Sequence, residues 1–129
     1  LVICISTDIG GFFFGNLFKG PKLSKISPNK TYSGVVGSYF ISFLVTYILL
    51  TFELEDFKLS IVNNIYLFVL FISTISQIGD IVISYFKRLS NLKDTGKIIP
   101  GHGGLLDRID GMIFAFPLAY VLLLTNLFK

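Results

Sequence analysis

The sequence predicts an all-α, polytopic transmembrane protein with four membrane-embedded helices, and three observations carry that reading. Hydrophobic residues fill 53% of its 129 positions and charged residues only 15%, whereas a soluble domain carries about 25% charge. The apolar residues gather into four runs, 1–18, 35–52, 61–86 and 111–128, each near the roughly 17–25 residues that cross a hydrocarbon core. The stretches between them alternate in charge. Four such runs leave no amphipathic helices to form the outside of a soluble protein. The runs also lack the period-two alternation of a lipid-facing barrel, and lipid demands that backbone pairing be internal.

The first run is interrupted by Asp8, Gly10 and Gly11. Asp8 precedes Lys19 by 11 residues, or roughly 16 Å of helix, which sets it deep in the membrane. It either makes a buried polar contact or lines a cavity, while the glycines permit close helix approach. The first loop holds Lys19, Lys22, Lys25 and Lys30 without an acid, and Pro21, Ser27 and Pro28 make it a structured turn region. The second run carries no charge, and Glu53, Glu55, Asp56 and Lys58 follow it. The third run contains Asp80 as its only charge. A long loop with Lys87, Arg88, Lys93, Lys97 and Arg108 against Asp94 and Asp107 leads to the fourth run, which Pro117 should bend. Alternating basic and non-basic connections put the first and third loops in the cytoplasm. The single cysteine, Cys4, forms no intrachain disulfide. Lysines beside aromatics, as at Tyr85-Phe86-Lys87, suit interfacial anchoring better than nucleic-acid binding.

Ionisable groups inside such runs are expensive and face a cavity or a partner. Ser76, Asp80, Ser84 and Lys87 recur at spacings of four, four and three, so one face of the third helix carries hydroxyl, carboxylate, hydroxyl and ammonium. Gln77 lies on an adjacent strip. Asp80 should stand near the cytoplasmic boundary, about 28 Å along the run. Asp107 and Asp110 are three apart at the start of the fourth helix and would share a face there, as helix caps or as cation ligands. Pro100-Gly101-His102-Gly103-Gly104 exposes backbone N–H groups, a candidate anion nest, and His102 has no second histidine or cysteine nearby to make zinc plausible. Acids beside this basic, glycine-rich stretch suit a polyphosphate carried with a metal.

Ser84-Tyr85-Phe86-Lys87-Arg88, Lys93-Asp94, Pro100 to Gly104 and Asp107-Arg108-Ile109-Asp110 together resemble the signature of the phosphatidate cytidylyltransferases, or CDP-diacylglycerol synthases. Asp8 with Gly11 and Gly15, Ser27-Pro28-Asn29-Lys30-Thr31 with Gly34, and Gln77 with Gly79-Asp80 are similar more loosely. Family members often carry lysine at the position of Asn29 and serine at that of Gly111. The resemblance covers nearly the whole chain and implies the carboxyl-terminal catalytic half of a protein about twice as long, with further helices before Leu1.

It further implies transfer of the cytidylyl group of CTP to phosphatidate, giving CDP-diacylglycerol and pyrophosphate, at the cytoplasmic side of a bacterial inner membrane. Catalysis is assigned to Asp80, Lys87, Asp107 and Asp110. Mg²⁺ is assigned to Asp80, Asp107 and Asp110, with a second cation left open. Substrate phosphate is assigned to Lys87, Arg88, Lys93, Arg108, His102, Gly103 and Gly104. Asp8, Ser27, Lys30, Thr31, Ser84 and Asp94 are cavity or loop candidates. The implied partners are CTP, phosphatidate and membrane lipid, without nucleic acid, and self-association is left open. The competing readings are an ion-coupled transporter using Asp8 and Asp80, an inactive structural fragment, and a lipid-alcohol kinase, which would need a base for its neutral hydroxyl.

Overall fold

The computed structural model describes residues 1–23, 27, 30–52, 64–90 and 109–125. They form four helices: α1 (Val2–Phe18), α2 (Tyr32–Thr51), α3 (Ile65–Leu89) and α4 (Asp110–Leu124). The all-helical architecture is as expected from the runs, but their lengths correct the four-span reading. Only α2 and α3 are long and apolar enough to cross a membrane. The described parts of α1 and α4 hold 17 and 15 residues, or about 25 Å and 22 Å of helix.

Local chemistry explains these limits. Lys19 closes α1 in the left-handed conformation, at φ 42° and ψ 42°, and its N–H donates to Gly15 O. Gly20 and Pro21 follow, and proline has no N–H with which to continue the ladder. At the other end of the chain, α4 starts at Asp110 behind Ile109, which supplies no side-chain cap, and Thr125 closes it by donating to Val121 O. The helix runs on through Pro117.

The described part of the first loop is a structured turn beside Pro21, while Pro28 lies outside the described residues. Lys22 and Thr31 form an isolated antiparallel bridge. Around it, Leu23 N–H donates to Lys30 O at 2.8 Å and Tyr32 N–H to Pro21 O at 3.1 Å. Thr31 then caps α2, its Oγ1 accepting from Gly34 N–H at 3.1 Å. That cap starts the second helix at Tyr32, three residues before the apolar run. The third helix extends past its run to Leu89, so Lys87 and Arg88 belong to its last turn, where the helix dipole favours cations.

Polar and apolar side chains are distributed as in a lipid-solvated bundle. Ser6, Thr7, Ser38, Ser42, Thr46, Ser73, Ser76 and Asp110 are buried, while Phe12, Val36, Phe52 and Tyr120 are among the many large apolar side chains facing outward. Within this chain 28% and 33% of the apolar windows of α2 and α3 are buried, which leaves most of their apolar surface facing outward. Small residues instead let the helices touch. A Cβ on Gly34 would stand 2.8 Å from Gly11 O, joining α2 to α1, and one on Gly79 would stand 3.3 Å from Gly111 Cα, joining α3 to α4. The Thr7 hydroxyl donates to Ser73 Oγ at 3.0 Å, and Tyr39 and Thr74 share a hydroxyl bond of 2.9 Å, tying both α1 and α2 to α3.

Among the described residues a cavity opens at each end of this bundle. One lies among the carboxyl halves of α1 and α3 and the starts of α2 and α4. The other, of about 230 Å³, is apolar and lined by Leu1, Cys4, Leu49, Phe68, Val69, Ile72 and Ala119, among others. The carboxyl ends of α1 and α3 therefore share one end of the bundle with the amino ends of α2 and α4, in the alternating order that the loop charges predict.

Candidate functional site

The polar cavity has a volume of about 370 Å³, and its wall includes Asp8, Ser27, Lys30, Thr31, Gln77, Asp80, Ser84, Lys87 and Asp110. These come from α1, α3, α4 and the first loop, with Gly34, Val35 and Ser38 of α2 completing the wall, and the glycine contacts explain why. Asp80 follows Gly79 and Asp110 precedes Gly111, so the crossing of α3 and α4 at those two glycines carries both aspartates into one place. The approach is close enough that a Cβ on Gly111 would lie 2.7 Å from Asp80 Oδ1 and 2.5 Å from Ser76 Oγ. The α1–α2 crossing at Gly11 and Gly34 brings Asp8 and the cap residue Thr31 to the same space.

Two ion pairs organise its charge. Lys87 Nζ donates to Asp110 Oδ2 at 2.6 Å, with side-chain exposures of 13% and 7%. Lys30 Nζ donates to Asp80 Oδ2 at 3.0 Å, with exposures of 28% and 24%, and also to the Gln77 carbonyl at 3.3 Å. The first pair is nearly sealed and the second is open to the cavity. Asp110 stands in the first turn of α4, where the positive end of the helix dipole favours a carboxylate. Across the described wall, three carboxylates (Asp8, Asp80, Asp110) meet two ammonium groups (Lys30, Lys87). The cavity therefore has room and charge for a cation together with an anion.

Of the hydroxyl–carboxylate column on α3, three members reach the cavity. Ser84, Asp80 and Lys87 face the cavity, but Ser76 is fully buried against Gly111, its Oγ without a hydrogen-bond partner among the described residues, and Gln77 takes its place on the wall. Asp80 lies well inside α3. It stands nine residues before Leu89, about 14 Å below the end of α3, because the helix runs on beyond the apolar stretch. Arg88 is exposed and not part of the cavity wall, since it sits about 100° round the helix from Lys87. Asp8 takes the cavity-lining alternative. Lys93, Asp94, His102, Gly103, Gly104, Asp107 and Arg108 lie outside the described residues, and with them the proposed anion nest and the shared face of Asp107 and Asp110.

The pairing of Lys30 with Asp80 is the feature that sequence reasoning missed. The two are 50 positions apart, and neither spacing nor composition connects them. The available signal was indirect: an all-basic loop must find acids somewhere, and Asp80 was the only charge in its run.

Among the described residues no three histidine, cysteine, aspartate or glutamate side chains cluster as a metal cage. Mg²⁺ needs no such cage, because it commonly takes one or two carboxylates together with waters and substrate phosphates. Asp80 and Asp110 supply hard oxygen donors of that kind, and each already holds a cationic ammonium.

The family model described as the cytidylyltransferase family matches residues 1–126. A phosphatidate cytidylyltransferase of Rickettsia conorii is 45% identical over 122 residues, covering 88% of this chain and 52% of the relative. That of Staphylococcus haemolyticus is 44% identical over 122 residues, covering 92% and 45%, and that of Rickettsia felis 42% over 128 residues, covering 93% and 56%. The chain thus spans about half the length of the curated relatives it matches. A family match over nearly the whole sequence, with its glycine-set aspartates and paired lysines around one polar cavity, leads to one conclusion: this chain belongs to the cytidylyltransferase family.

Proposed function

We propose that this chain is the carboxyl-terminal catalytic part of a CTP:phosphatidate cytidylyltransferase, acting at the cytoplasmic face of a bacterial inner membrane. The observation that carries the reading is the convergence of Asp80, Asp110, Lys30 and Lys87 on one cavity at the end of a lipid-solvated bundle. The names of the relatives supply the substrate class, and the cavity has the mixed charge that two phosphate-bearing substrates require.

In the proposed reaction a phosphate oxygen of phosphatidate attacks the α-phosphorus of CTP. The bond from that phosphorus to the oxygen bridging to the β-phosphate breaks, and pyrophosphate leaves with the electron pair. A phosphomonoester has its second pKa near 6, so the nucleophile is already anionic at neutral pH and no strong base is required. The difficulty is repulsion between two anions, which positioning and electrostatic stabilisation must overcome. Asp80 and Asp110 are proposed to hold Mg²⁺, which when bound neutralises triphosphate charge and polarises the phosphorus centre. Lys87 and Lys30 contribute positive charge to the phosphates. The hydroxyls of Ser84 and Thr31 line the same wall and orient phosphate oxygens by hydrogen bonds.

Membranes containing the protein, supplied with labelled CTP, Mg²⁺ and phosphatidate, are expected to yield lipid-linked label and pyrophosphate in equal amounts. Lipid labelling that persists without phosphatidate, or CTP consumption without a lipid product, would defeat the proposal. Ion flux independent of CTP would favour a transporter instead.

A further inference from the structure

Lys30 occupies an unusual place for a loop lysine. Its backbone is pinned, with Lys30 N–H donating to Ser27 O at 3.1 Å and its carbonyl accepting from Leu23 N–H at 2.8 Å. Its side chain nevertheless reaches into the cavity to bond two oxygens of α3, Asp80 Oδ2 and Gln77 O. Asp8 of α1 lines the same space. The ammonium thus sits among oxygens that would suit a metal cation. The two ion pairs differ in one respect that matters: Lys87–Asp110 is sealed at 13% and 7% exposure, whereas Lys30–Asp80 is open at 28% and 24%. A partly solvated pair is weak and readily exchanged, and four methylenes let the head swing while the backbone stays fixed.

We propose that Lys30 is an internal counter-ion for Asp80, held on the carboxylate while the cavity lacks a nucleotide and transferred to phosphate when one arrives. The inference rests on the reading of Asp80 as a metal ligand. Before nucleotide binding, the ammonium competes with divalent metal for Asp80. When a triphosphate enters, the lysine exchanges a carboxylate oxygen for a phosphate oxygen, a stronger partner carrying more charge. Asp80 is then released to the metal that accompanies the nucleotide. Metal and nucleotide binding become positively linked through one side chain, and by reciprocity each raises the affinity of the other. Lys30 thereby sets the order of binding.

The test measures Mn²⁺ binding by electron paramagnetic resonance on the purified protein in detergent, with and without CTP. Lys30→Met is expected to bind Mn²⁺ roughly three- to fivefold more tightly than the wild type when CTP is absent, the effect of removing one competing, partly exposed charge pair. It is also expected to bind CTP more weakly and to lose most of the mutual enhancement. Lys30→Arg keeps a cation beside Asp80 and should retain weak metal binding without CTP. Lys30→Gln provides a second neutral variant, and size-exclusion and thermal profiles confirm folding. If Lys30→Met binds Mn²⁺ no more tightly than the wild type, while Asp80→Asn weakens Mn²⁺ binding in the presence of CTP, the counter-ion role is overturned and the metal role of Asp80 stands. If Asp80→Asn leaves Mn²⁺ binding unchanged with CTP present, the metal reading itself falls, and this inference with it.

Discussion

The two ends of the bundle are built from the same four helices but solve opposite problems. At one end, Asp8, Asp80, Asp110, Lys30 and Lys87 surround a polar cavity of about 370 Å³. At the other, Ile65, Phe68, Val69, Ile72 and Ala115 surround an apolar cavity of about 230 Å³. The apolar end is held by burial and dispersion, which are non-directional and tolerate exchange of one hydrocarbon for another. The polar end depends on specific partners at specific distances, because an unpaired charge or hydroxyl away from water is costly. Substitutions should therefore affect activity at the first end and little beyond packing at the second.

The largest expected effect tests the charged end directly. Asp80→Asn keeps the side-chain shape but removes the charge facing Lys30, and cytidylyl transfer should fall by roughly 10²–10³-fold, as when a preorganised electrostatic partner is lost. Because Asp80 is about a quarter exposed, the thermal midpoint should hardly move. Wild-type turnover in this variant would erase the distinction between the two ends.

Next in size is a stability effect. Lys87→Met leaves Asp110 with 7% exposure and without its 2.6 Å ammonium partner. The expected destabilisation is about 2 kcal/mol, below the figure for a fully buried pair because the helix amino terminus still favours the carboxylate. Combining Lys87→Met with Asp110→Asn should restore much of the loss, as a double-mutant cycle in denaturant or thermal unfolding will read. If the single variant is as stable as the wild type, the pair is not a structural element of the site.

The smallest effect is expected at the apolar end. Ala119→Leu adds hydrocarbon to a cavity with space for it, so stability should change by less than about 1 kcal/mol and initial rates of transfer should be unchanged. A large loss of activity would mean that the apolar cavity takes part in the reaction, and the contrast between the two ends would fail.

Much of this was legible in the residues themselves. Charge-free runs, the alternation of basic and non-basic loops, and carboxylates where lipid should not tolerate them gave the helical class, the order of the ends and the candidates Asp8, Asp80, Lys87 and Asp110. Helix limits were less legible, since the Thr31 cap starts α2 three residues before its apolar run and α3 continues three residues past its own, to Leu89. Ser76 illustrates the same limit at a single residue. Its spacing from Asp80 is right for a shared face, yet the close approach of Gly111 buries it and leaves Gln77 to line the cavity.

Sequence alone determined which groups could do the chemistry, because residue type fixes charge, and a carboxylate in an apolar run demands a partner. Tertiary structure decided which groups meet. Lys30 reaches Asp80 across 50 positions only because Gly79 and Gly111 let α3 and α4 touch, while Gly11 and Gly34 draw α2 and its preceding loop against α1. Close approach of two backbones is a property of a pair of surfaces, and a single chain of letters does not encode the distance between them in any local pattern.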